Sequence, residues 1–591
     1  MPVKKHDFGF IPSEYQQKIF DFVKHGTGNA VVKAYAGCSK TTTMVSAMQL
    51  IPNRQKCLFI AFNTHIVEEL KEKLVGRDNC TVMTIHGLGS SIIRRNIGDW
   101  NRIPLNEYKY RNYLRDNICE LSAIDCETLG EDGVEEYVNS TCELIDHARF
   151  NLCQKTNEIK EIAEKYGIPV QHDECEVAKK CMDWGKKHTE SIDYGDMIWL
   201  PYEHGMSPKG MQFDWVFFDE AQDASKAAMN LFFRVFKRGT RFCVVGDDFQ
   251  AINQFAGSSI EWFNGLLKHP NTQQFELPIC YRCDKKIVEL SNKLVPGIKY
   301  REGADDGVFI EDCHLSEIKQ GDLVLSRSKA PLLRLYSWLI ERGVNCYVKG
   351  NDIGIELNTI IDSVSTDKLG KEMVSDGLIM RLWKQVIETR NNVMRSHKVN
   401  IHDASLSPKV MELYDKVNVL STIAEKCKTI DELKERITGI FREDSDGICL
   451  STIHKAKGLE SDNVFIICRS TMPAKRATKK WEIEQENNLI YVAYTRAKHK
   501  LGFINEKEVP PSGSAMKDDA IIKDIATIEK LVCNIYGMPL AEENAEFARF
   551  RLKVATNIED RHANDNVIHI GTKNEAPNNE TSLDDLLKEL G

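Results

Sequence analysis

An apolar run that ends in two adjacent carboxylates places the strongest constraint on how this chain can fold. The run covers residues 216–218, and Asp219 and Glu220 follow it directly. A buried strand of a parallel sheet delivers such residues to the carboxyl edge of the sheet, where ligands bind. An Asp there can support Mg²⁺, and a neighbouring Glu can polarise a water for attack on a phosphate. Alone, such a run is more often an ordinary strand end, so its interpretation depends on a second feature far upstream.

The second feature is a strand, a tight turn of small residues and a helix start over residues 31–42. A phosphate-binding loop needs backbone N–H groups around the phosphates, a lysine on the β and γ oxygens, and a hydroxyl for Mg²⁺. Lys40 and Thr41 fit the last two roles. Ala34 and Ser39 stand where the strict pattern has glycines, and Ser39 is the larger departure because that turn favours a residue without Cβ. Because the acidic strand supplies the other half of such a site, we interpret residues 31–42 as a phosphate loop.

Composition narrows the class of protein. The chain has 591 residues, 42% of them hydrophobic and 28% charged, which is typical of a soluble protein with several domains. We expect neither a membrane span nor a signal peptide. The 18 cysteines have no metal-binding spacing, which favours reduced thiols over a zinc site. The net charge of −9 means that any nucleic acid must bind in a local groove.

Strand and helix signals alternate in two separate parts of the chain. Apolar runs near residues 57–64, 81–87 and 242–248 accompany the acidic strand, and a later set covers 323–327, 346–348, 448–453 and 464–468. Such alternation predicts parallel sheets with ligands at the carboxyl ends of the strands. The chain is therefore predicted to be an α/β protein with two parallel-sheet domains, each interrupted by a mainly helical insertion. The predicted boundaries are 1–87 with 205–276 for the first domain, 88–204 for its insertion, 277–350 with 446–510 for the second domain, 351–445 for its short insertion, 511–555 for a helical extension and 556–591 for an acidic, disordered tail.

Two segments leave alternatives open. Basic and aromatic residues interleave in the first insertion, and they suit either nucleic-acid contact or a solvated helix face with core tyrosines. These residues are Arg94, Arg95, Arg102, Lys109, Tyr110, Arg111, Tyr113 and Arg115. In the tail, residues 582–590 are predicted to form an amphipathic acidic helix that docks in a partner protein's groove, mimics the charge of a nucleic acid, or is a frayed end. A helix over 520–535 is expected to pack on the second domain.

Several polar residues stand near the predicted strand ends. Gln16 could present its amide to an adenine edge, although locally a surface glutamine is the simpler interpretation. Gln250 follows a strand and could sense a γ-phosphate or position the attacking water. Arg282 is predicted to open a helix with Tyr281, and a helix over 488–497 is predicted to carry Arg496.

Taken in order, these segments resemble the UvrD/Rep-like superfamily 1 helicases over residues 11–503. The most specific single match is the Thr-x-His-x-x-Lys-Gly-Leu-Glu segment at 452–460, followed by Tyr-Val-Ala-Tyr-Thr-Arg-Ala at 491–497. The Ala-Tyr-Ala-Gly form of the phosphate loop is most similar to the branch that includes F-box helicases and many phage proteins.

The resemblance implies two RecA-like domains and an ATP·Mg²⁺ site, with roles assigned residue by residue. The implied ATP-binding residues are Gln16, Ala36, Gly37, Cys38, Ser39, Lys40, Thr41, Thr42, Tyr281 and Glu460. The implied catalytic residues are Lys40, Glu220, Gln250, Arg282 and Arg496. The implied metal-binding residues are Thr41 and Asp219. The implied DNA-binding residues are Phe62, Asn63, Thr84, His86, Phe255, Thr452 and His454.

The implied activity is ATP-driven movement on single-stranded DNA, 3′ to 5′, with unwinding at junctions of single and double strands during replication, recombination or repair. The expected location is the cytoplasm of a bacterium or phage-infected cell, or a eukaryotic nucleus. Two departures motivate alternatives. Ser39 suggests an ATP-sensing, DNA-binding switch with weak hydrolysis, and the short second insertion suggests a translocase that displaces proteins with little unwinding. Only Phe255 can stack on a base in the segment 251–256, which predicts a weaker grip there.

Overall fold

A computed structural model describes most of the chain and divides it into two compact units. The first unit comprises Met1–Arg282, Val295–Ala304 and Thr478–Val492, and the second comprises Cys283–Leu294, Asp305–Ala477 and Ala493–Gly591. The residues that the structure describes are 8–61, 63–97, 103–252, 260–266, 268–269, 271–365, 377–397, 399–405, 407–424, 426–442, 446–474, 477–509 and 525–530. Within them, every helix is too short or too polar to cross a membrane.

The first unit is built on a six-stranded parallel sheet in the order β3-β2-β4-β5-β1-β6. Its strands are β1 (Asn29–Ala34), β2 (Cys57–Ala61), β3 (Cys80–Thr84), β4 (Phe213–Phe218), β5 (Phe236–Gly246) and β6 (Thr272–Leu277). A small second sheet pairs β7 (Ile279–Cys280) with β8 (Lys299–Tyr300). Its helices are α1 (Glu14–His25), α2 (Lys40–Gln49), α3 (Thr64–Lys73), α4 (Ile85–Ile97), α5 (Lys109–Asp116), α6 (Ile118–Leu121), α7 (Cys126–Phe150), α8 (Thr156–Tyr166), α9 (Glu174–Lys187), α10 (Tyr194–Glu203), α11 (Lys226–Arg234) and α12 (Ile260–Leu266).

The central strands carry apolar residues on both faces because helices cover the sheet on both sides. Val31, Leu58, Val216 and Val244 point into one core cluster. Their neighbours Ala30 and Val32 of β1, Phe59 and Phe217 point into another. The strand β4 ends at the same carboxyl edge of the sheet as β1, with β5 between them, and this is the edge to which the acidic run was predicted to deliver its carboxylates.

The first insertion is helical. For Lys109 and Tyr110, its structure distinguishes between the two interpretations, nucleic-acid contact and a place in the core. Lys109 and Tyr110 are buried: Lys109 Nζ lies 2.7 Å from Asp196 Oδ2, and Tyr110 Oη donates to Asp196 Oδ1 at 2.6 Å. Arg149 completes the cluster by donating to both Asp193 and Asp196. These charges compensate one another inside the insertion. Lys109 and Tyr110 are therefore core residues and do not form a nucleic-acid surface.

The second unit contains a seven-stranded parallel sheet in the order β12-β11-β13-β10-β14-β15-β9. Its strands are β9 (Val308–Cys313), β10 (Leu323–Ser326), β11 (Cys346–Lys349), β12 (Phe441–Arg442), β13 (Ile448–Thr452), β14 (Ser461–Ile466) and β15 (Ala497–Ile504). Its helices are α13 (Lys285–Leu294), α14 (Lys329–Glu341), α15 (Asn351–Val364), α16 (Leu378–His397), α17 (Ile401–Ser405), α18 (Pro408–Ala424), α19 (Ile430–Ile440) and the end of α20 (Lys480–Tyr494), whose first part lies in the first unit. The prediction of two parallel α/β sheets interrupted by helices is confirmed.

Two local predictions were wrong. The helix predicted to open at Tyr281 begins at Lys285, because β7 and a bend occupy the preceding residues. The helix predicted to carry Arg496 ends at Tyr494, so Arg496 lies in the turn before β15.

The predicted helix over 520–535 is described only for residues 525–530, which are helical. There Ile525 is buried in the core of the second unit, and Glu529 Oε1 pairs with Arg390 Nη2 at 2.7 Å. The predictions for the tail 556–591 lie outside the described residues.

Candidate nucleotide-binding site

The turn between β1 and α2 has the backbone of a phosphate loop. Gly37 has φ of 67°, and a Cβ at this position would lie 2.7 Å from the Cβ of Arg282 and 2.8 Å from the Sγ of Cys280. Ser39 has φ of 59° and ψ of 41°, which is the left-handed region that favours glycine. The loop therefore keeps the left-handed turn although a serine occupies the position. Lys40 and Thr41 then begin α2, with their backbone N–H groups at the start of the helix.

The two carboxylates at the end of β4 meet the first residues of α2. Thr41 Oγ1 donates to Asp219 Oδ2 at 2.5 Å, and Lys40 Nζ lies 3.1 Å from Glu220 Oε1. Glu220 also has a left-handed backbone, with φ of 53°. This turn aims its side chain at Lys40, while Asp219 remains buried beside Thr41. The structure thus brings together the four residues that the sequence assigned to phosphate, metal and water.

Burial and mutual charge shift the ionisation of this cluster. Burial and the neighbouring Glu220 raise the pKa of Asp219 to about 6, although Lys40 and Thr41 act in the opposite direction. Burial alone would lower the pKa of Lys40, but Glu220 and then Asp247 outweigh it and raise that pKa above its usual range. Lys40 therefore stays charged. Two buried acids, Asp219 and Asp247, and the partly exposed Glu220 surround this one lysine, so the cluster favours the binding of further positive charge.

A second polar set follows β5 and joins the first. Gln250 Nε2 donates to Asp247 Oδ2 at 2.5 Å, and burial raises the pKa of Asp247 to about 6. Gln222 links the two strand ends, because its Nε2 donates to Glu220 Oε2 at 2.6 Å and its Oε1 accepts from Asp247 N at 3.0 Å. Gln222 was missing from the predicted site. A polar side chain two residues past the acidic pair was the only signal in the sequence.

Gln16 and Tyr281 also lie against the loop or its helix. Gln16 forms a capping box with Ser13 at the start of α1, and its Nε2 donates to Thr43 Oγ1 of α2 at 2.9 Å. It is 2% exposed, so it is not the surface glutamine that local sequence favoured. Tyr281 donates its backbone N–H to Gly37 O at 2.8 Å, while its ring is exposed.

A residue from α20 holds the loop backbone. The Ala36 N–H donates to Tyr491 Oη at 2.9 Å, and Tyr491 is fully buried within the first unit. Asn488, one turn earlier, donates to the carbonyls of Asp248 and Ala251. Neither residue was predicted as part of the site. No local sequence pattern links Tyr491 to Ala36, so only the fold reveals the contact.

Four predicted residues belong to the second unit. Arg496 is 2% exposed and donates from Nη1 to Leu459 O at 3.2 Å and from Nη2 to Thr495 Oγ1 at 3.3 Å. Glu460 pairs with Lys498 at 3.0 Å. Thr452 and His454 lie at the carboxyl end of β13. Their assigned roles remain predictions.

The predicted DNA-contact residues of the first unit follow β2 and β3. Asn63 caps α3 by accepting from Ile66 N at 2.9 Å, and Thr84 Oγ1 accepts from Gly87 N at 3.0 Å. His86 lies in α4, and burial lowers the pKa of its imidazole, so the ring is neutral near pH 7. It lines a cavity of about 180 Å³ together with Asp219 and Glu220. Phe62 and Phe255 lie outside the described residues.

Comparison with protein families identifies the class. A model described as the UvrD/REP helicase N-terminal domain matches residues 15–271, and one described as the UvrD-like helicase C-terminal domain matches residues 379–508. The chain belongs to the UvrD-like helicases. It is therefore an ATP-hydrolysing helicase, as the site predicted.

Individual relatives of this UvrD-like helicase are distant. The ATP-dependent DNA helicase PcrA of Bacillus subtilis is 22% identical over 82% of this chain and 82% of its own length. The F-box DNA helicase protein 1 of Schizosaccharomyces pombe is 22% identical over 80% of this chain but only 55% of its own length. The srs2 helicase of the same yeast is 25% identical over 36% of this chain. The chain thus spans most of a PcrA-type protein and about half of an F-box helicase.

Proposed function

We infer that this UvrD-like helicase, an ATP-dependent DNA helicase, moves along single-stranded DNA by hydrolysing ATP at the loop between β1 and α2. The observation that carries the proposal is the pairing of Lys40 with Glu220 beside the pairing of Thr41 with Asp219. Both pairs join a phosphate loop to an acidic strand end, which is the arrangement that phosphoryl transfer requires.

Mg²⁺ fits the donors that are present. The Thr41 hydroxyl and the Asp219 carboxylate are hard oxygen ligands, and they already lie within hydrogen-bond distance of each other. We propose that these two residues hold the ion, which would neutralise charge on the phosphates. The raised pKa of Asp219 describes the site before the ion binds, and a cation there would favour the ionised carboxylate.

Glu220 is proposed as the general base. Without nucleotide its charge is compensated by Lys40, and Gln222 holds its other oxygen. Phosphate oxygens of ATP compete for Lys40, so nucleotide binding would release one Glu220 oxygen to orient and deprotonate a water. Lys40 would therefore bind the phosphates, and before they bind it would keep Glu220 paired and unable to act as a base.

The remaining ATP-site roles are proposals based on position. Gln250, anchored to Asp247, would sense the γ-phosphate. Arg282 and Arg496 would stabilise the charge on the transferred group, a role worth about a thousandfold in rate. Gln16 and Tyr281 would bind adenine, and Glu460 is also proposed to bind the nucleotide.

DNA contact is proposed at the ends of β2, β3 and β13, and at Phe255 in the segment that follows Gln250 in the sequence. The residues are Phe62, Asn63, Thr84, His86, Phe255, Thr452 and His454. We propose that the protein moves 3′ to 5′ and unwinds DNA at junctions of single and double strands. It would act in replication, recombination or repair, in the compartment that contains the chromosomal or phage DNA. The acidic tail is proposed to bind a protein partner.

The first experiment is ATP hydrolysis with and without single-stranded DNA, in the wild type and in Glu220→Gln. We expect DNA-stimulated turnover that falls at least a hundredfold in the variant while ATP binding persists. Glu72→Gln, on the exposed face of α3, is the matched control and should hydrolyse normally. Tight ATP binding without turnover in the wild type would refute the motor and favour an ATP-sensing switch.

Polarity has its own test. Duplexes with a single-stranded tail at one end only should be unwound from 3′ tails. Unwinding only from 5′ tails would reverse the proposed direction. Removal of a bound protein from a 3′-tailed strand with no strand separation would favour the protein-displacing translocase.

A further inference from the structure

We propose that Cys80 is a site of reversible oxidation by peroxide and that it forms a disulfide with Cys57. The two residues occupy the first positions of β3 and β2, and they are directly paired in the parallel register of the sheet. Directly paired residues of adjacent strands have their side chains on the same face and Cα atoms about 5 Å apart, which is within the range that a disulfide spans. This site is independent of the proposed mechanism of ATP hydrolysis.

The two thiols differ in exposure in the way that such a pair requires. Cys57 is fully buried, whereas Cys80 is partly exposed on β3, the edge strand of the sheet. A small oxidant can therefore reach Cys80 first, and Cys57 is in place to react with the product. Asn79 lies beside both sulfurs, with Nδ2 4.0 Å from Cys57 Sγ and Oδ1 3.7 Å from Cys80 Sγ.

Arg77 supplies positive charge next to this pair. Its Nη1 donates to Gln49 O at 2.9 Å and its Nη2 donates to Ile51 O at 2.6 Å, which holds the guanidinium in place. Its Nε is buried and lacks a hydrogen-bond partner in the described structure. A buried cationic donor with a free N–H can stabilise an anion. The Cys80 thiolate is the anion that the neighbouring residues can supply.

The ionisation of Cys80 agrees with this geometry. The adjacent Cys57 thiol, and after it the Arg77 guanidinium, outweigh burial and lower the pKa of Cys80 to about 7. The pKa of Cys57 is raised, first by its interaction with Cys80, so Cys57 remains protonated. The thiolate is the nucleophile in thiol oxidation, and the lowered pKa raises the fraction of Cys80 in that form at pH 7.

The chemistry balances with hydrogen peroxide as the oxidant. The Cys80 thiolate attacks one peroxide oxygen, the O–O bond breaks, and hydroxide leaves and takes up a proton, which leaves a sulfenic acid on Cys80. The Cys57 sulfur then attacks the Cys80 sulfur, the S–O bond breaks, and water leaves with the thiol proton. Overall, two thiols and one peroxide give one disulfide and two waters.

A second thiol pair provides an internal comparison. Cys119 Sγ and Cys126 Sγ are 3.9 Å apart, and Cys119 is exposed. The pKa of Cys126 is raised by burial, and then by its contact with Cys119. Access and proximity alone would therefore favour oxidation at Cys119. Faster reaction at Cys80 would isolate the effect of its charged surroundings.

The test is oxidation of the full-length reduced protein with hydrogen peroxide at pH 7. Free thiols are then blocked with N-ethylmaleimide, and peptides are mapped by mass spectrometry without reduction. We expect Cys80 to be lost at least tenfold faster than Cys119, with the appearance of a peptide that links Cys57 to Cys80 and disappears with dithiothreitol. Equal or slower loss of Cys80, or oxidation without that linked peptide, would overturn the proposal.

Variants separate the two steps. Cys57→Ser should stop at the sulfenic acid of Cys80, which dimedone traps. Arg77→Gln should slow the loss of Cys80 by about threefold to tenfold, because the fraction of thiolate falls. The effect is limited because a thiolate of higher pKa is a stronger nucleophile. Should that variant fold poorly, the wild-type rate measured against pH replaces it. A half-maximal rate near pH 7 supports the proposal, and one near pH 8.5 refutes it.

Discussion

Replacing Gly37 with alanine tests whether the phosphate loop is fixed by its backbone or by its side chains. The wild-type residue has a left-handed backbone, and its carbonyl accepts the N–H of Tyr281 at 2.8 Å. An added Cβ would lie 2.7 Å from the Cβ of Arg282, which is well inside van der Waals contact. Gly37→Ala should therefore push the loop away from residues 281–282.

The magnitude follows from two terms. A left-handed alanine costs about 1–2 kcal/mol. Overpacking against a side chain that cannot withdraw costs about 1–3 kcal/mol more. The total is roughly 2–5 kcal/mol, to be divided between lower stability and displacement of the loop. If about half of it appears as loop displacement, ATP should bind roughly fivefold to seventyfold more weakly.

Ser39→Gly is the matched control, because Ser39 lies in the same loop and also has a positive φ angle. Removing this Cβ relieves about 1–2 kcal/mol of strain but costs about 0.5–1 kcal/mol of unfolded-state entropy, so stability should rise slightly or stay unchanged. The assays are fluorescent-ATP titration and thermal unfolding. Wild-type affinity and melting temperature in Gly37→Ala, or a large loss in Ser39→Gly, would refute the argument.

Three further changes test the buried polar groups. Burial raises the pKa of Asp247 to about 6, above its value in the unfolded chain. The protonated carboxyl therefore contributes its full stability below about pH 4, and this contribution is lost as the pH rises through 6. Asp247→Asn should remove the loss, which is worth up to roughly 3 kcal/mol, when urea unfolding is compared at pH 4.5 and pH 7.5. Tyr491→Phe leaves the Ala36 N–H without its acceptor and should weaken ATP binding about tenfold in a titration; unchanged affinity would contradict the contact. Asp196→Asn should lower stability by about 3–5 kcal/mol by thermal melting, whereas Glu135→Gln at the surface should cost less than about 1 kcal/mol; equal effects would contradict the cluster.

The sequence predicted the fold and the four central site residues because their signals are local. The local sequence places Asp219 and Glu220 directly after strand β4, and it places Lys40 and Thr41 at the start of α2. Parallel topology then places both ends at one edge of the sheet. The fold class follows from the same alternation of strand and helix.

Other parts of the site depend on contacts that no local pattern contains. Tyr491 is far from Ala36 along the chain, and its apolar neighbours favour a core role. Gln222 depends on the exact turn of the 3₁₀ segment Ala221–Asp223 between two strands. Tyr281 precedes its helix because β7 pairs with β8, a long-range contact that overrides local helix signals. Lys109 is buried because Asp196 compensates its charge, and the local sequence around Lys109 does not show that contact.

The two strained residues of the site explain why a serine is tolerated where glycine is usual. Ser39 and Glu220 both have left-handed backbones, with φ of 59° and 53°, and Ser39 adjoins Lys40 while Glu220 adjoins Asp219 in the proposed catalytic cluster. Such strain costs about 1–3 kcal/mol per residue and persists only when surrounding contacts enforce it. Here the pair between Lys40 and Glu220, together with Thr41 and Asp219, enforces it from both sides. We therefore predict that the serine lowers the stability of the loop, and that Lys40 keeps its place beside Glu220 and the loop keeps its proposed chemistry.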